Sequence, residues 1–418
     1  MNKEGTKPRG HEATKMTMPS AAACGRIQNP QSEFQHRSAF APVCIAALAA
    51  LAAPLAADEA PARQGDWPMW GGRPDRNMVS DEIGIPAEWD IKTGRNVKWK
   101  AALGSQTYGN PVIAGGRILV GTNNDGNLRS GISGDKGVVL CFDEKTGKLL
   151  WQATHDKLAA GRVNDWPQQG ICSTAFIDGD RAYYVSNRCE LVCVDMNGFA
   201  NGNDGPYKDE KYTEPQDADF VWIYDMIEEL GVFPHNLATS SPVVAGELVF
   251  LVTSNGVDEG HLNLPSPTAP AFIAVNWKSG ELAWEASVEH RVFHGQWSSP
   301  AYGVVAGSPQ VVFPGGDGWA YSFDPPSGKK LWMFNLNPPG AQYILGGRGT
   351  ANEIIATPVI HDDAVFLNVG QDPEHGEGIG HLYRIDATKR GDITDSGKVW
   401  HVGFDKFNRS LSTCAIRD

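Results

Sequence analysis

The sequence predicts an all-β fold built from repeated four-stranded units, and three observations predict it. A turn-and-tryptophan element recurs along the chain. A Ser/Thr-Pro element recurs between its copies. The composition, with 13 Trp, 47 Gly and 27 Pro in 418 residues, suits many short strands joined by tight turns.

The first element has three uninterrupted copies. They run Leu140 to Trp151 through Asp143, Thr146 and Gly147; Ile273 to Trp284 through Asn276, Ser279 and Gly280; and Tyr321 to Trp332 through Asp324, Ser327 and Gly328. Two further copies carry insertions, Leu191 to Trp222 and Tyr383 to Trp400. A half-copy, Trp89 to Trp99, stands ahead of them all. The alternating apolar stretches read as strands. The Asp-x-x-Thr-Gly core is hairpin-turn chemistry: glycine takes a positive φ, and the Asp and Thr side chains cap backbone amides.

The second element places proline at 111, 242, 300 and 358, and Ala175 and Cys414 fill the same slot in two other copies. Proline tolerates the first position of a strand, where its missing N–H costs little. Each repeat therefore reads as strands A (Ser/Thr-Pro), B, C (ending at the turn Asp) and D (ending at Trp). Four antiparallel strands repeated at this period make a β-propeller of four-stranded blades. The blades fall near 109–151, 172–222, 240–284, 298–332 and 356–400, with the start of a sixth at Ser412-Thr413-Cys414.

The turn-and-tryptophan copies resemble the tryptophan-docking repeat of the PQQ-like (pyrroloquinoline-quinone-like) propeller family. That family includes quinoprotein alcohol dehydrogenases and a bacterial outer-membrane assembly lipoprotein. The resemblance covers residues 89–418 and implies a ring of seven or eight blades, here expected to be cut short at the C-terminus. It assigns 89–99 as the D strand that closes the last blade, expected here to lack its C-terminal partner strands. Trp151, Trp222, Trp284, Trp332 and Trp400 are expected to dock between blades. Fold does not fix activity in such a family.

Residues 1–57 read as an export signal: a polar stretch, an Ala-rich apolar run from Phe40 to Ala57, and small residues at Leu55-Ala56-Ala57. Retention as an anchor is the alternative. Residues 58–88 form an N-terminal extension. The chain is expected to be periplasmic or secreted, with no membrane span after cleavage. Its net charge is −13, and the leader carries six Lys/Arg against three Asp/Glu, so cleavage leaves it more acidic. That charge repels phosphate backbones and excludes nucleic acid as a partner class.

Propeller geometry puts the D–A connections and the B–C turns on one face. Residues just before each strand A lie nearest the axis, so Gln169, Asn236, Gln296, Asn352 and Asn408 are candidates to ring a funnel, with His235, His294, Glu353 and Arg409 beside them. The B–C turns bring Asp258, His261 and Asp317, among others, to the same face. No catalytic residue is assigned, and the metal question is left open. The resemblance implies PQQ held over Ca²⁺ by carboxylate and amide ligands, but no such set maps onto these residues and no Cys-Cys pair is present. The inserted loop Met196–Asp219 is polar and glycine-rich without EF-hand spacing. It is expected to be a surface loop, followed by a helical turn over Tyr224–Leu230.

Of the cysteines after the leader, Cys172 and Cys189 are candidates for a disulfide, because both are placed at the funnel face of one blade. The leading functional expectation is a non-catalytic binding or scaffold module of the cell envelope, with an envelope protein, a glycan or a small molecule as partner. The alternative is a PQQ-dependent alcohol or sugar dehydrogenase.

Overall fold

The computed structural model describes residues 65–370, 379–408 and 410–417. Both the export signal and Arg409 lie outside the described residues. Strands dominate, in five sheets of antiparallel strands that follow the chain order. Sheet one holds β1 (Val112–Ala114), β2 (Arg117–Asn123), β3 (Lys136–Asp143) and β4 (Leu149–Asp156). Sheet two holds β5 (Phe176–Asp178), β6 (Arg181–Val185), β7 (Glu190–Asp195) and β8 (Phe220–Asp225). The short helix α1 (Met226–Leu230) follows, capped by the Asp225 carboxylate and closed by Gly231 in the left-handed region.

Sheet three holds β9 (Val243–Ala245), β10 (Leu248–Val252), β11 (Phe272–Asn276) and β12 (Leu282–Ala286). Sheet four holds β13 (Ala301–Val305), β14 (Ser308–Pro314), β15 (Trp319–Phe323) and β16 (Lys330–Asn335). In sheet five, β17 (Val359–His361), β18 (Ala364–Val369) and β19 (Ile379–Asp386) are followed by the two-residue β20 (Gly391–Asp392) and the long β21 (Lys398–Asn408). The strand β20 leaves its own sheet and pairs in parallel with β16 of sheet four. No helix among the described residues is long and apolar enough to cross a membrane.

The two recurring elements are the two seams between sheets. At the outer seam each docking indole donates to the carbonyl just past the turn Asp or Asn of the next sheet. Trp99 reaches Glu144 (2.9 Å), Trp151 reaches Met196 (3.0 Å), Trp222 reaches Trp277 (3.0 Å) and Trp284 reaches Pro325 (2.8 Å). At Trp332 a glutamine is interposed: the indole donates to Gln310 Oε1 (2.8 Å), and Gln310 Nε2 donates to the Ala387 carbonyl (3.0 Å).

At the inner seam the hydroxyl before the proline slot accepts an amide from the preceding sheet. Thr174 accepts from Asn110 (2.9 Å), Ser241 from Thr174 (3.0 Å), Ser299 from Ser241 (2.8 Å) and Thr413 from Thr357 (3.3 Å). Where a proline follows, as after Ser241 and Ser299, it cannot donate, so the hydroxyl and its own amide make the stitch. Adjacent sheets bury Val, Ile, Leu and aromatic side chains between them.

The described part of the N-terminal extension has a definite place. Residues 67–77 run across the innermost strands of every sheet. Trp67 bridges Ile113 of β1, and the Pro68 carbonyl accepts from Ile177 of β5 (2.8 Å). The Pro74 and Asp75 carbonyls accept from Tyr302 of β13 (2.8 Å) and Ile360 of β17 (3.0 Å). Arg76 is fully buried, and its guanidinium donates to the carbonyls of Pro300, Trp70, Ser241 and Pro242 at 2.7–3.1 Å. Burial lowers its pKa to about 9, still high enough to keep it charged at neutral pH. Asn77 exchanges two 2.9 Å hydrogen bonds with Ile416.

Two of the expectations above need correction, at Trp400 and at the cysteine pair. Trp400, on the last described sheet, is 38% exposed, because no further sheet follows it among the described residues. Trp284 is half-buried and docks through its indole N–H, and Trp151, Trp222 and Trp332 are buried. Residues 89–99 form a turn bridged between Asp90 and Arg95 and join no sheet, although Trp99 docks as the repeat requires. Cys172 and Cys189 are both free thiols. The Cys189 Sγ turns instead to the Thr253 carbonyl of sheet three, 3.3 Å away.

Candidate functional site

Three histidines from three separate connections meet on one face. His235 lies between α1 and β9, His261 between β10 and β11, and His294 between β12 and β13. Their ring centroids form a nearly equilateral triangle, with sides of 4.8, 4.8 and 4.9 Å. One nitrogen from each ring lies within 4.8 Å of the others.

The backbone explains the convergence. Gly256 has no room for a side chain: a Cβ there would sit 2.6 Å from both His235 Cβ and the His294 carbonyl. Gly346 packs as closely on His261, where a Cβ would fall 2.5 Å from the carbonyl oxygen. Asp258 holds the loop that presents His261, accepting from the amides of Leu262 and Asn263 and from the Asn263 side chain.

Second partners orient two of the rings. His235 Nδ1 is 2.8 Å from the Val257 carbonyl. A carbonyl only accepts, so Nδ1 carries the proton and Nε2 keeps its lone pair. That Nε2 is buried and has no hydrogen-bond partner. Burial, helped by the neighbouring His294, lowers the His235 pKa to about 4, so the ring is neutral at physiological pH. His294 Nδ1 faces Glu353 Oε1 at 3.2 Å, both residues being buried. Trp297 walls the site, its ring 4.8 Å from His294 and its indole N–H on the His235 carbonyl (3.0 Å).

The other candidates lie around this centre or away from it. Gln296 is buried next to it and donates to the Asn255 carbonyl (3.0 Å), while its Oε1 has no partner. Asn352 is buried and pairs with Asn337 through its backbone. Gln169 bonds Gln106, and Asn236 meets Val163 and Trp166 through its backbone, both toward sheets one and two. Asn408 ends β21 and is exposed.

Beside the histidines, on the same face, opens a cleft of about 610 Å³. Trp319, Tyr343, Asn335, Asn337, Glu289 and Arg291 line it. Tyr343 packs on Phe293, next to His294, with ring centroids 4.4 Å apart. Below it Asp317 is fully buried and accepts from the Tyr321 hydroxyl (2.5 Å) and the Trp319 amide (3.1 Å). Burial raises its pKa to about 7. A smaller cleft of about 250 Å³ near β4 is lined by His155, Asp156, Arg188, Glu190 and Lys211. Its charges pair with one another: Lys211 with Asp156, and Arg188 and His155 with Glu190.

The three converging histidines do not supply the oxygen donors that Ca²⁺ takes. The converging atoms are imidazole nitrogens, which suit transition metals rather than calcium. Met69 and Arg76 are buried against the innermost strands. The inserted loop 196–219 is tied to itself and to neighbouring residues by several hydrogen bonds. The Asp219 carboxylate accepts from the Asp204 amide, Asp195 from Asn197, and Gly198 packs against Trp151.

A family model described as "Outer membrane protein assembly factor BamB" matches residues 217–388. A search of curated proteins finds no match. Among solved structures, BamB from Moraxella catarrhalis is 11% identical at a TM-score of 0.38, covering 73% of this chain and 76% of that one. Quinohemoprotein alcohol dehydrogenase from Comamonas testosteroni is 12% identical at 0.43, covering 85% and 70%. A europium-containing methanol dehydrogenase is 10% identical at 0.40, covering 81% and 78%. The match over residues 217–388 falls on the repeated docking tryptophans, and in that region the chain is similar to the PQQ-like β-propeller repeat family.

Proposed function

We propose that this propeller is a binding module of the cell envelope that takes a polar small molecule or a glycan unit in the cleft beside His294, and that it performs no chemistry on PQQ. The observation that carries the reading is the cleft itself. Its volume falls in the range of small-molecule sites. Aromatic faces at Trp319 and Tyr343 stand next to the amides of Asn335 and Asn337 and the charges of Glu289 and Arg291. Aromatic surface with a few polar groups is what a sugar ring needs, since it offers C–H faces and hydroxyl edges.

The test has two arms. Titration of the chain with oligosaccharides, followed by calorimetry, is expected to give saturable binding that Trp319→Ala removes. Incubation with PQQ and Ca²⁺ is expected to give no dye reduction with alcohols or sugars. PQQ-dependent dye reduction would replace this reading with the dehydrogenase one. Fractionation of the native cell is expected to place the chain in the envelope or the medium, and a cytoplasmic pool would contradict the location.

A further inference from the structure

The geometry points to a transition-metal site at His235, His261 and His294, of the zinc class, on the binding face proposed above. It rests on that reading only in assuming that this face is the functional one. Nothing in the repeat pattern calls for three imidazoles here: the seams are made by tryptophans, hydroxyls and backbone groups.

Three arguments carry it. The rings are mutually equidistant, with centroids at 4.8–4.9 Å. Histidines that serve only packing have no reason to converge three at a time around one point. The groups behind two of the rings are also those found at metal sites. His235 hands its Nδ1 proton to a backbone carbonyl, and His294 faces a buried carboxylate, Glu353. These are the two standard ways of fixing a ligand histidine so that its other nitrogen binds metal. Finally, His235 Nε2 is a buried acceptor with no protein partner, an arrangement that costs free energy unless something fills it.

The ion class follows from the donors. Imidazole nitrogen suits Zn²⁺, Cu²⁺ or Ni²⁺, and not Ca²⁺ or Mg²⁺, which take oxygen. Bonds of about 2.0–2.1 Å to a tetrahedral ion require nitrogens about 3.3 Å apart. The present spread of up to 4.8 Å closes by small ring movements. His261, half-buried on a loop, is the ligand with room to move. Three imidazoles leave a fourth position for water or for a donor atom of the ligand.

The experiment is a titration of the purified full chain with Zn²⁺ and with Co²⁺ alone, by calorimetry and by the visible bands of tetrahedral Co²⁺. One equivalent is expected to bind. His294→Ala and His261→Ala should each weaken it by 100-fold or more, and Glu353→Gln by about 10–100-fold. His261 sits on a loop and Glu353→Gln is isosteric, so both variants should keep the wild-type melting temperature of the metal-free chain. Absence of stoichiometric binding to the folded wild type would overturn the site. So would binding that His261→Ala leaves unchanged, because the ion would then lie elsewhere. Neither result bears on oligosaccharide binding at Trp319, so the two readings fail separately.

Discussion

The indole N–H of Trp284 donates to the carbonyl of Pro325, 2.8 Å away and one sheet further on, and the same ring lies against Gly328 of that turn. A Cβ at Gly328 would stand 2.7 Å from Trp284 Cδ2, and its φ of +66° is one that L side chains resist. Gly328→Ala should therefore lower stability by a few kcal/mol, read by urea unfolding. Truncating the buried indoles should cost more: about 3–5 kcal/mol for Trp151→Ala or Trp332→Ala. Trp400→Ala, at an exposed position, should cost less than about 1 kcal/mol. Equal losses at Trp332 and Trp400 would contradict the docking account.

Arg76 ties sheets three and four to the N-terminal segment through the carbonyls of Ser241, Pro242 and Pro300, and also donates to the Trp70 carbonyl of its own segment. Arg76→Ala leaves those carbonyls buried without a donor, and should destabilise the chain by about 3 kcal/mol or more. Hydrogen exchange should accelerate first in β9 and β13. Unchanged exchange there would show that the segment is a passive covering.

The five cysteines of the described region are free. Burial raises the thiols of Cys141 and Cys172 to about 12 and that of Cys189 well above its usual value. They should resist alkylation in the native protein. After unfolding without reductant, mass spectrometry should find Cys172 and Cys189 alkylated on separate peptides. A single linked peptide would restore the bridge.

Asp317 gives a pH dependence of definite sign. Its pKa rises on folding from 3.8 to about 7. Between those values the folded state holds a proton that the unfolded state releases, so the stability from this group falls as pH rises across that window. Unfolding free energies measured from pH 4 to 7 should fall less in Asp317→Asn than in wild type. Identical slopes would place Asp317 outside this titration.

The seams were legible in the sequence because they repeat: an Asp-x-x-Thr-Gly turn followed by Trp, and a hydroxyl before Pro, mark structure whose geometry recurs in most of the sheets. The match over residues 217–388 falls on those repeats. What does not repeat was harder to read. Arg76 has no counterpart elsewhere in the chain, so nothing local shows that a short N-terminal segment crosses all five sheets. The three histidines share a face by propeller geometry, but they stand in three different connections, and no spacing marks them as one cluster. His261 comes from a B–C turn, whereas the strongest candidates were sought in the D–A connections. The proposed cysteine bridge failed for a related reason: topology put both residues near one face, and only side-chain direction reveals that Cys189 faces sheet three.

The most direct measurement is X-ray absorption at the zinc edge of the zinc-loaded full chain. The account predicts a first shell dominated by three imidazole nitrogens at about 2.0–2.1 Å, with the outer-shell scattering that histidine rings produce. A shell of oxygens alone, or one that Glu353→Gln and His261→Ala leave untouched, would contradict it.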